Sequence, residues 1–296
     1  MRLVDFFFAL RPMVLIPAWS FFIVGFGLAR DDDRAAFPVA RFVLLSLVLV
    51  ATYLINQVVD YESDRINGKG LFLQRGIFSR RLYVGVAATC VALALAGAVG
   101  RSLSPGLIAA SAALGVAYSV PPVRLVARPG WDLVANGLGY GCIALLLGAG
   151  ESASTSAPWV ARLAAGFLAV AAVFLHTTIL DLEGDRSTWK RTSGVALGAV
   201  RTRNVAAWAA TGGALSAWWA ESTLLFVACA GLAVACLGAA VLSRWVSSRS
   251  VCVGGTAAFA GAAGVVQPVF LIAIVALTLL TRLYYKRRFA LAYPAL

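Results

Sequence analysis

The sequence predicts an all-α, polytopic membrane bundle of about nine transmembrane helices, and three observations carry that prediction. Of 296 residues, 61% are hydrophobic and 13% charged, against roughly 45–50% and ~25% in soluble domains. Cutting the chain at its charged residues leaves nine long uncharged blocks: 12–29, 42–59, 82–100, 102–123, 133–150, 163–180, 204–220, 222–243 and 250–281. A helix crosses the hydrocarbon core with about 20 apolar residues, within a range of ~17–25, so these blocks are long enough to span. The third observation is a net charge of +12 from 25 Lys+Arg, 13 Asp+Glu and one His. In so apolar a chain the basic excess reads as the Lys/Arg bias of short cytoplasmic loops, which removes a nucleic-acid partner from consideration. The composition also excludes a secreted or disordered protein.

Taken in order, Arg2, Asp5 and Arg11 interrupt the N-terminus, so no cleavable signal peptide is expected before the first span. Asp31, Asp32 and Asp33 form the first short loop and read as a solvated external turn. Asp5, Asp132, Glu151 and Glu221 fall near span ends and read as interfacial. The second and sixth blocks each run into a cluster of acids followed by a basic loop. The last block, 250–281, is longer than one span needs and is interrupted by Gly264 and Pro268. It is either one long kinked helix or a span with an interfacial or re-entrant part. Nine spans with the N-terminus inside would leave Arg282, Lys286, Arg287 and Arg288 outside, although the aromatic-basic run 282–289 suits an interfacial anchor. The five cysteines lie in apolar blocks without a C-x-x-C pair and read as small packing residues. Twenty-eight glycines suit close helix–helix approach.

The remaining six acids form two copies of D-x-E-x-D-R. The first, Asp60, Glu62 and Asp64, ends with Arg65; the second, Asp181, Glu183 and Asp185, ends with Arg186. The copies are 121 residues apart, and each closes an apolar block. On a helix, residues i and i+4 share a face with a rise of about 6 Å. Asp60 and Asp64 therefore align, as do Asp181 and Asp185, and Asn56 extends the first row. Glu62 and Glu183 fall roughly opposite. Two carboxylate pairs facing one cavity suit Mg²⁺, which binds through one or two carboxylates plus substrate phosphates. Arg65, Lys69, Arg75, Arg186, Lys190 and Arg191 lie beside them as candidate diphosphate ligands. Acids at the ends of membrane spans are costly and mark function. The opposing reading, acids merely paired with the adjacent arginines, is weakened by the duplication.

With these motifs in view, the chain resembles the UbiA superfamily of intramembrane prenyltransferases. Asn56, Asp60 and Asp64 match the family's first aspartate-rich motif, and Asp181 and Asp185 its second. R-T-S-G-V-A-L-G (191–198) is similar to the loop after the second motif, Y-S-V-P-P-V-R-L (118–125) to the Tyr-Ser-x-Pro-Pro segment, and Arg11-Pro12 to the usual opening. Three positions depart from the pattern: Gln57 where many members have Asp, L-F-L-Q-R-G (71–76) after the first motif, and Val126 where Lys is frequent. These departures remove the basis for carrying over a particular acceptor.

The resemblance implies one membrane domain over residues 1–296 with two pseudo-repeated halves, motif 1 at 56–64 and motif 2 at 181–185. It implies a Mg²⁺-dependent transfer of a polyprenyl group from a prenyl diphosphate to a lipophilic acceptor, quinone-type by preference, at the cytoplasmic face of a cell or inner membrane. Asp60, Asp64, Asp181 and Asp185 would be catalytic and, with Asn56, hold the metal. Tyr53, Tyr61 and Tyr118 are candidates to face an allylic cation; Tyr53, Tyr118, Arg124 and His176 are candidates for the acceptor pocket. Lipid is the expected surrounding, and no obligate protein partner is indicated. Competing readings are a terpene cyclase of the same superfamily, a transporter with intramembrane acids and a CDP-alcohol phosphotransferase. The last requires both aspartate pairs in one segment with Asp-Gly and Ala-Arg, a pattern missing here.

Overall fold

A computed structural model of the chain describes residues 3–30, 36–100 and 104–293, which leaves Asp31, Asp32, Asp33, Arg2, Arg34 and Arg101 outside the described residues. The described chain is helical throughout. α1 (Leu3–Ala9) and α2 (Ile16–Ala29) are separated by Arg11, at φ 56 in the left-handed region, and by a 3-10 turn. α3 (Val39–Val59), the short α4 (Tyr61–Ile66) and α5 (Leu71–Gln74), α6 (Arg80–Ala98) and α7 (Ser104–Ser119) follow. α8 (Trp131–Asn136) continues through a π-helical segment (Gly137–Ile143) into α9 (Ala144–Ala149). The second half comprises α10 (Ala157–Leu180), the short α11 (Leu182–Ser187), α12 (Ser193–Trp219), α13 (Thr223–Val241), α14 (Ser248–Val266) and α15 (Pro268–Phe289).

Among the described residues eight elements are long and apolar enough to cross a membrane and Pro105–Ser119 is a shorter apolar helix, roughly the expected nine; the predicted block 204–220 lies in the long helix α12, outside that set. The block 250–281 differs from both expectations for it: Gln267 at φ −140 and Pro268 divide it into α14 and α15, each of membrane length. Proline ends a helix at its predecessor because it lacks an N–H and crowds the preceding backbone. The division turns the chain once more and moves the basic tail to the end of the bundle that carries both acid motifs. There Arg288 pairs with Asp5 at 3.2 Å, Tyr284 donates to Asp5 Oδ1 at 2.5 Å, and the Arg75 guanidinium lies over the Phe289 ring. Of the described bases, Arg30, Arg41 and Arg162 lie toward the opposite end.

Asp5 is accordingly buried, and Asp132, also read as interfacial, is fully enclosed. Asp132 accepts from the Ser193 backbone N–H at 2.6 Å and from the Ser193 hydroxyl at 2.5 Å. This ties the start of α12 to α8; a carboxylate so far from water persists because both oxygens are satisfied. α6, α12 and α14 all start at the motif end, each capped by a hydroxyl: Ser79, Thr192 and Ser247.

The main apolar core runs through α2, α3, α9, α10, α13 and α14; a second, aromatic cluster of Phe8, Phe72, Phe78, Tyr83, Tyr285 and Phe289 sits under the C-terminal helix end. All five cysteines are free and buried or half-buried. α2 and α9 meet through reciprocal glycine notches. A Cβ on Gly25 would lie 2.1 Å from the Leu145 carbonyl oxygen, and one on Gly148 would lie 1.9 Å from that of Phe22. Without a hydrophobic drive between helices in lipid, such backbone approach supplies the packing. Gly148→Leu is expected to cost about 1–3 kcal/mol by overpacking, read as a lower thermal midpoint in detergent. Gly231→Leu, where a Cβ meets nothing within 4 Å, should leave the midpoint unchanged.

Candidate active site

α3 and α10 both stop at the first aspartate of their motif. Asp60 (φ −90, ψ 19) and Asp181 (φ −100, ψ 1) leave the helical region, and the chain resumes in α4 and α11. The acids therefore lie across a helix break and not on one uninterrupted face as the spacing predicts. The i to i+4 bond nonetheless survives, Asp64 N–H to Asp60 O at 2.8 Å and Asp185 N–H to Asp181 O at 3.0 Å, which keeps each pair together.

The two motifs lock onto each other. The Ser63 hydroxyl donates to Asp185 Oδ1 at 2.9 Å, the Gly184 N–H donates to Asn67 Oδ1 at 3.1 Å, and the Asn67 amide donates to the Asp181 carbonyl at 3.4 Å. A left-handed residue, Gly68 (φ 67) or Trp189 (φ 56), then turns each loop so that the next lysine points back. Lys190 donates to Asp60 Oδ2 at 2.6 Å and lies 3.6 Å from Asp185, while Lys69 pairs with Asp181. Each lysine thus neutralises the first aspartate of the other copy. Arg124 adds a contact to Asp60 Oδ1 at 3.2 Å, and the Asn56 amide donates to Asp60 Oδ2 at 3.1 Å.

Apart from Gly184 and Arg124, which do not line it, these groups form the mouth of a cavity of about 330 Å³ that runs into the bundle. Asn56, Asp60, Asp64, Asp181 and Asp185 all line it, as do Tyr53 and Tyr118. Of the six cations expected at phosphate, Lys69 and Lys190 line it; Arg65, Arg75, Arg186 and Arg191 do not. Arg65 is exposed and paired with Glu62 at 3.0 Å, and Arg75 is stacked on Phe289. Tyr61 packs under Arg80 outside the cavity. His176 is fully buried and hydrogen-bonds Ser248 through Nδ1 at 3.1 Å without reaching the cavity. Gln57 is buried and donates to the Tyr53 carbonyl, so it does not replace a missing acid at the mouth.

Sequence reasoning passed over Ser63, Asn67, Asn136 and Tyr140 and gave Arg11 no role at the site, although all five line the cavity. Tyr140 donates to the Tyr53 hydroxyl, which donates to the Val14 carbonyl at 2.9 Å. A signal for the lysines was present: the repeat extends to D-x-E-x-D-R-x-x-x-K in both copies, with Lys69 and Lys190 at the same 121-residue offset. Tyr140 and Asn136 carry no such signal.

Burial pushes the Asp64 carboxyl above the usual range, opposed by the charges of Arg11 and Lys69, and it does the same to Asp185, opposed by Lys190. Burial alone would lower Lys190, but the Asp60 and Asp185 carboxylates outweigh it and hold the ammonium above its ordinary value. Asp64 Oδ2 is buried with no hydrogen-bond partner, an acceptor left open at the mouth. Among the described residues no three His, Cys, Asp or Glu converge to hold an ion unaided. An all-oxygen donor set in pairs, incomplete without further oxygens, fits Mg²⁺ shared with a phosphate; Asp60, Asp64, Asp181 and Asp185 are the residues that would hold it.

A helical membrane bundle with a duplicated aspartate motif closing an apolar cavity is the class that fold and site define. The chain belongs to the UbiA prenyltransferase family, whose family model matches residues 14–252, and it is a multi-pass integral membrane protein. It is 33% identical over 190 residues, 60% of this chain and 66% of the other, to a protein of Halobacterium salinarum named lycopene elongase/hydratase. The match spans just under two thirds of that relative. A UbiA homolog from Archaeoglobus fulgidus, solved with DMAPP and Mg²⁺, has a TM-score of 0.71 at 20% identity over 90% of this chain and 97% of its own. An apo UbiA homolog from Aeropyrum pernix K1 has a TM-score of 0.63 at 17% identity, covering 88% and 98%.

Proposed function

We propose that the protein transfers a prenyl group from a prenyl diphosphate to a lipophilic acceptor with release of pyrophosphate, requiring Mg²⁺ and working at the cytoplasmic face. The observation that carries this reading is the cross-paired mouth, in which two acid–lysine motifs meet over an apolar cavity. The chemistry a bound Mg²⁺ supplies there is neutralisation of charge on the departing pyrophosphate. Lys69, Lys190 and Arg11 are the cavity-lining cations available to phosphate oxygens. The apolar wall below them excludes water from the allylic carbon, and the Tyr53, Tyr118 and Tyr140 rings line the region where positive charge would develop. The basic residues gathered at the motif end support a cytoplasmic mouth under the positive-inside bias.

For the acceptor, similarity to a protein named lycopene elongase/hydratase favours an isoprenoid hydrocarbon; a quinone-type ring is the second reading. The test is purified protein with dimethylallyl, geranyl, farnesyl and geranylgeranyl diphosphates and a lipid extract. Mg²⁺-dependent pyrophosphate release is expected with at least one donor. Mass spectrometry then separates a prenylated hydrocarbon, a prenylated ring and an acceptor-free cyclised product. Absence of release with every donor overturns the reading in favour of a non-enzymatic membrane role.

A further inference from the structure

The cavity has a definite floor. Phe21 of α2 and Phe259 of α14 lie with ring centroids 4.5 Å apart and planes tilted by 31°, both almost completely buried, and both line the cavity. Phe21 is also wedged against α10, where a Cβ on Gly166 would meet its ring at 3.5 Å. On the two motif-bearing helices the cavity wall reaches as far from the aspartates as Leu49 of α3 and Ala169 of α10, eleven and twelve residues before the first aspartate of their motifs. At 1.5 Å rise per residue the floor lies about 16 Å below the aspartates. Farther from the aspartates along the same helices, Val24, Leu45 and Ala165 are buried in the main core and do not line the cavity.

An extended carbon chain with bonds of about 1.5 Å at angles of about 111° advances roughly 5 Å per four-carbon repeat. The depth therefore equals about three isoprene repeats, and the diphosphate at the mouth occupies the place of one. We propose that Phe21 and Phe259 form the specificity-determining floor of the donor site, limiting the prenyl donor to about two isoprene units, so that dimethylallyl and geranyl diphosphates are the substrate class. This rests on the prenyl-transfer reading above. The aromatic pair is suited to the task because interdigitated rings lack the free rotamers with which an aliphatic floor could give way.

The test compares kcat/KM for Mg²⁺-dependent pyrophosphate release from the C5, C10, C15 and C20 diphosphates. The wild type is expected to favour C10 over C20 at least tenfold. Phe259→Ala and Phe21→Ala, with Phe259→Leu and Phe21→Leu as milder forms should the alanine variants not fold, should each raise the C20:C10 ratio at least fivefold. A wild-type protein that uses C20 as well as C10, with the chain leaving sideways between helices, overturns the proposal. So does a C20:C10 ratio unchanged in the folded variants. Absence of release from any donor would instead remove the prenyl-transfer reading itself, so the two failures are distinguishable.

Discussion

Asp60→Ala or Asp181→Ala is expected to abolish Mg²⁺-dependent pyrophosphate release, with a fall in kcat/KM of at least 100-fold. Removing one preorganised group that stabilises transition-state charge costs about 10²–10³ in rate, and these residues do more than one task. Asp60 anchors Lys190, Arg124 and the Asn56 amide at once, and Asp181 anchors Lys69. Loss of either would remove an oxygen donor proposed for the metal and also free the opposite motif's lysine. Asp60→Asn, which keeps an acceptor for Lys190, separates the two contributions: it should hold the thermal midpoint nearer wild type while still losing activity. Normal turnover in either alanine variant would sink the assignment of this mouth as the reaction site.

Lys190→Met carries the second large effect. The lysine is 8% exposed and sits between Asp60 and Asp185, which are 4% and 2% exposed. Taking away one partner of a buried charge group leaves the rest uncompensated, at a cost of about 3–5 kcal/mol. The metal-free variant is expected to have a clearly lowered thermal midpoint and a kcat/KM at least 100-fold down, in the range for losing a charge-stabilising donor. Added Mg²⁺ should restore much of the midpoint, since a divalent cation can neutralise the same carboxylates, but not the activity, since the ammonium proposed to face the phosphate is gone. A midpoint insensitive to Mg²⁺ in this variant would show that the acids do not form the cation site.

Much of this was legible because charge is rare in the chain. Thirteen acids among 296 residues made six in matching clusters conspicuous, and the four aspartates do converge on one cavity. Helix ends were harder. Gln267-Pro268 divides the last apolar block, and hydropathy is blind to that because α14 and α15 are apolar on both sides of the break. The cations that line the cavity were hard to single out for a similar reason. Nearness in sequence to an acid placed Arg65, Arg75, Arg186 and Arg191 beside the site, whereas the turns after α4 and α11 direct the lysines inward and leave those arginines outside the cavity wall.

By itself the sequence determined the bundle, its approximate number of spans, the family and the acids of the mouth, because periodic hydropathy and costly charges are properties of local composition. Only the tertiary structure decided which cation faces which carboxylate. The cross-pairing of Lys69 with Asp181 and Lys190 with Asp60 joins residues 112 and 130 positions apart. It also decided where the cavity ends, through Phe21 and Phe259, more than 200 residues apart in the chain. Such contacts follow from how whole helices pack, and no local pattern encodes them.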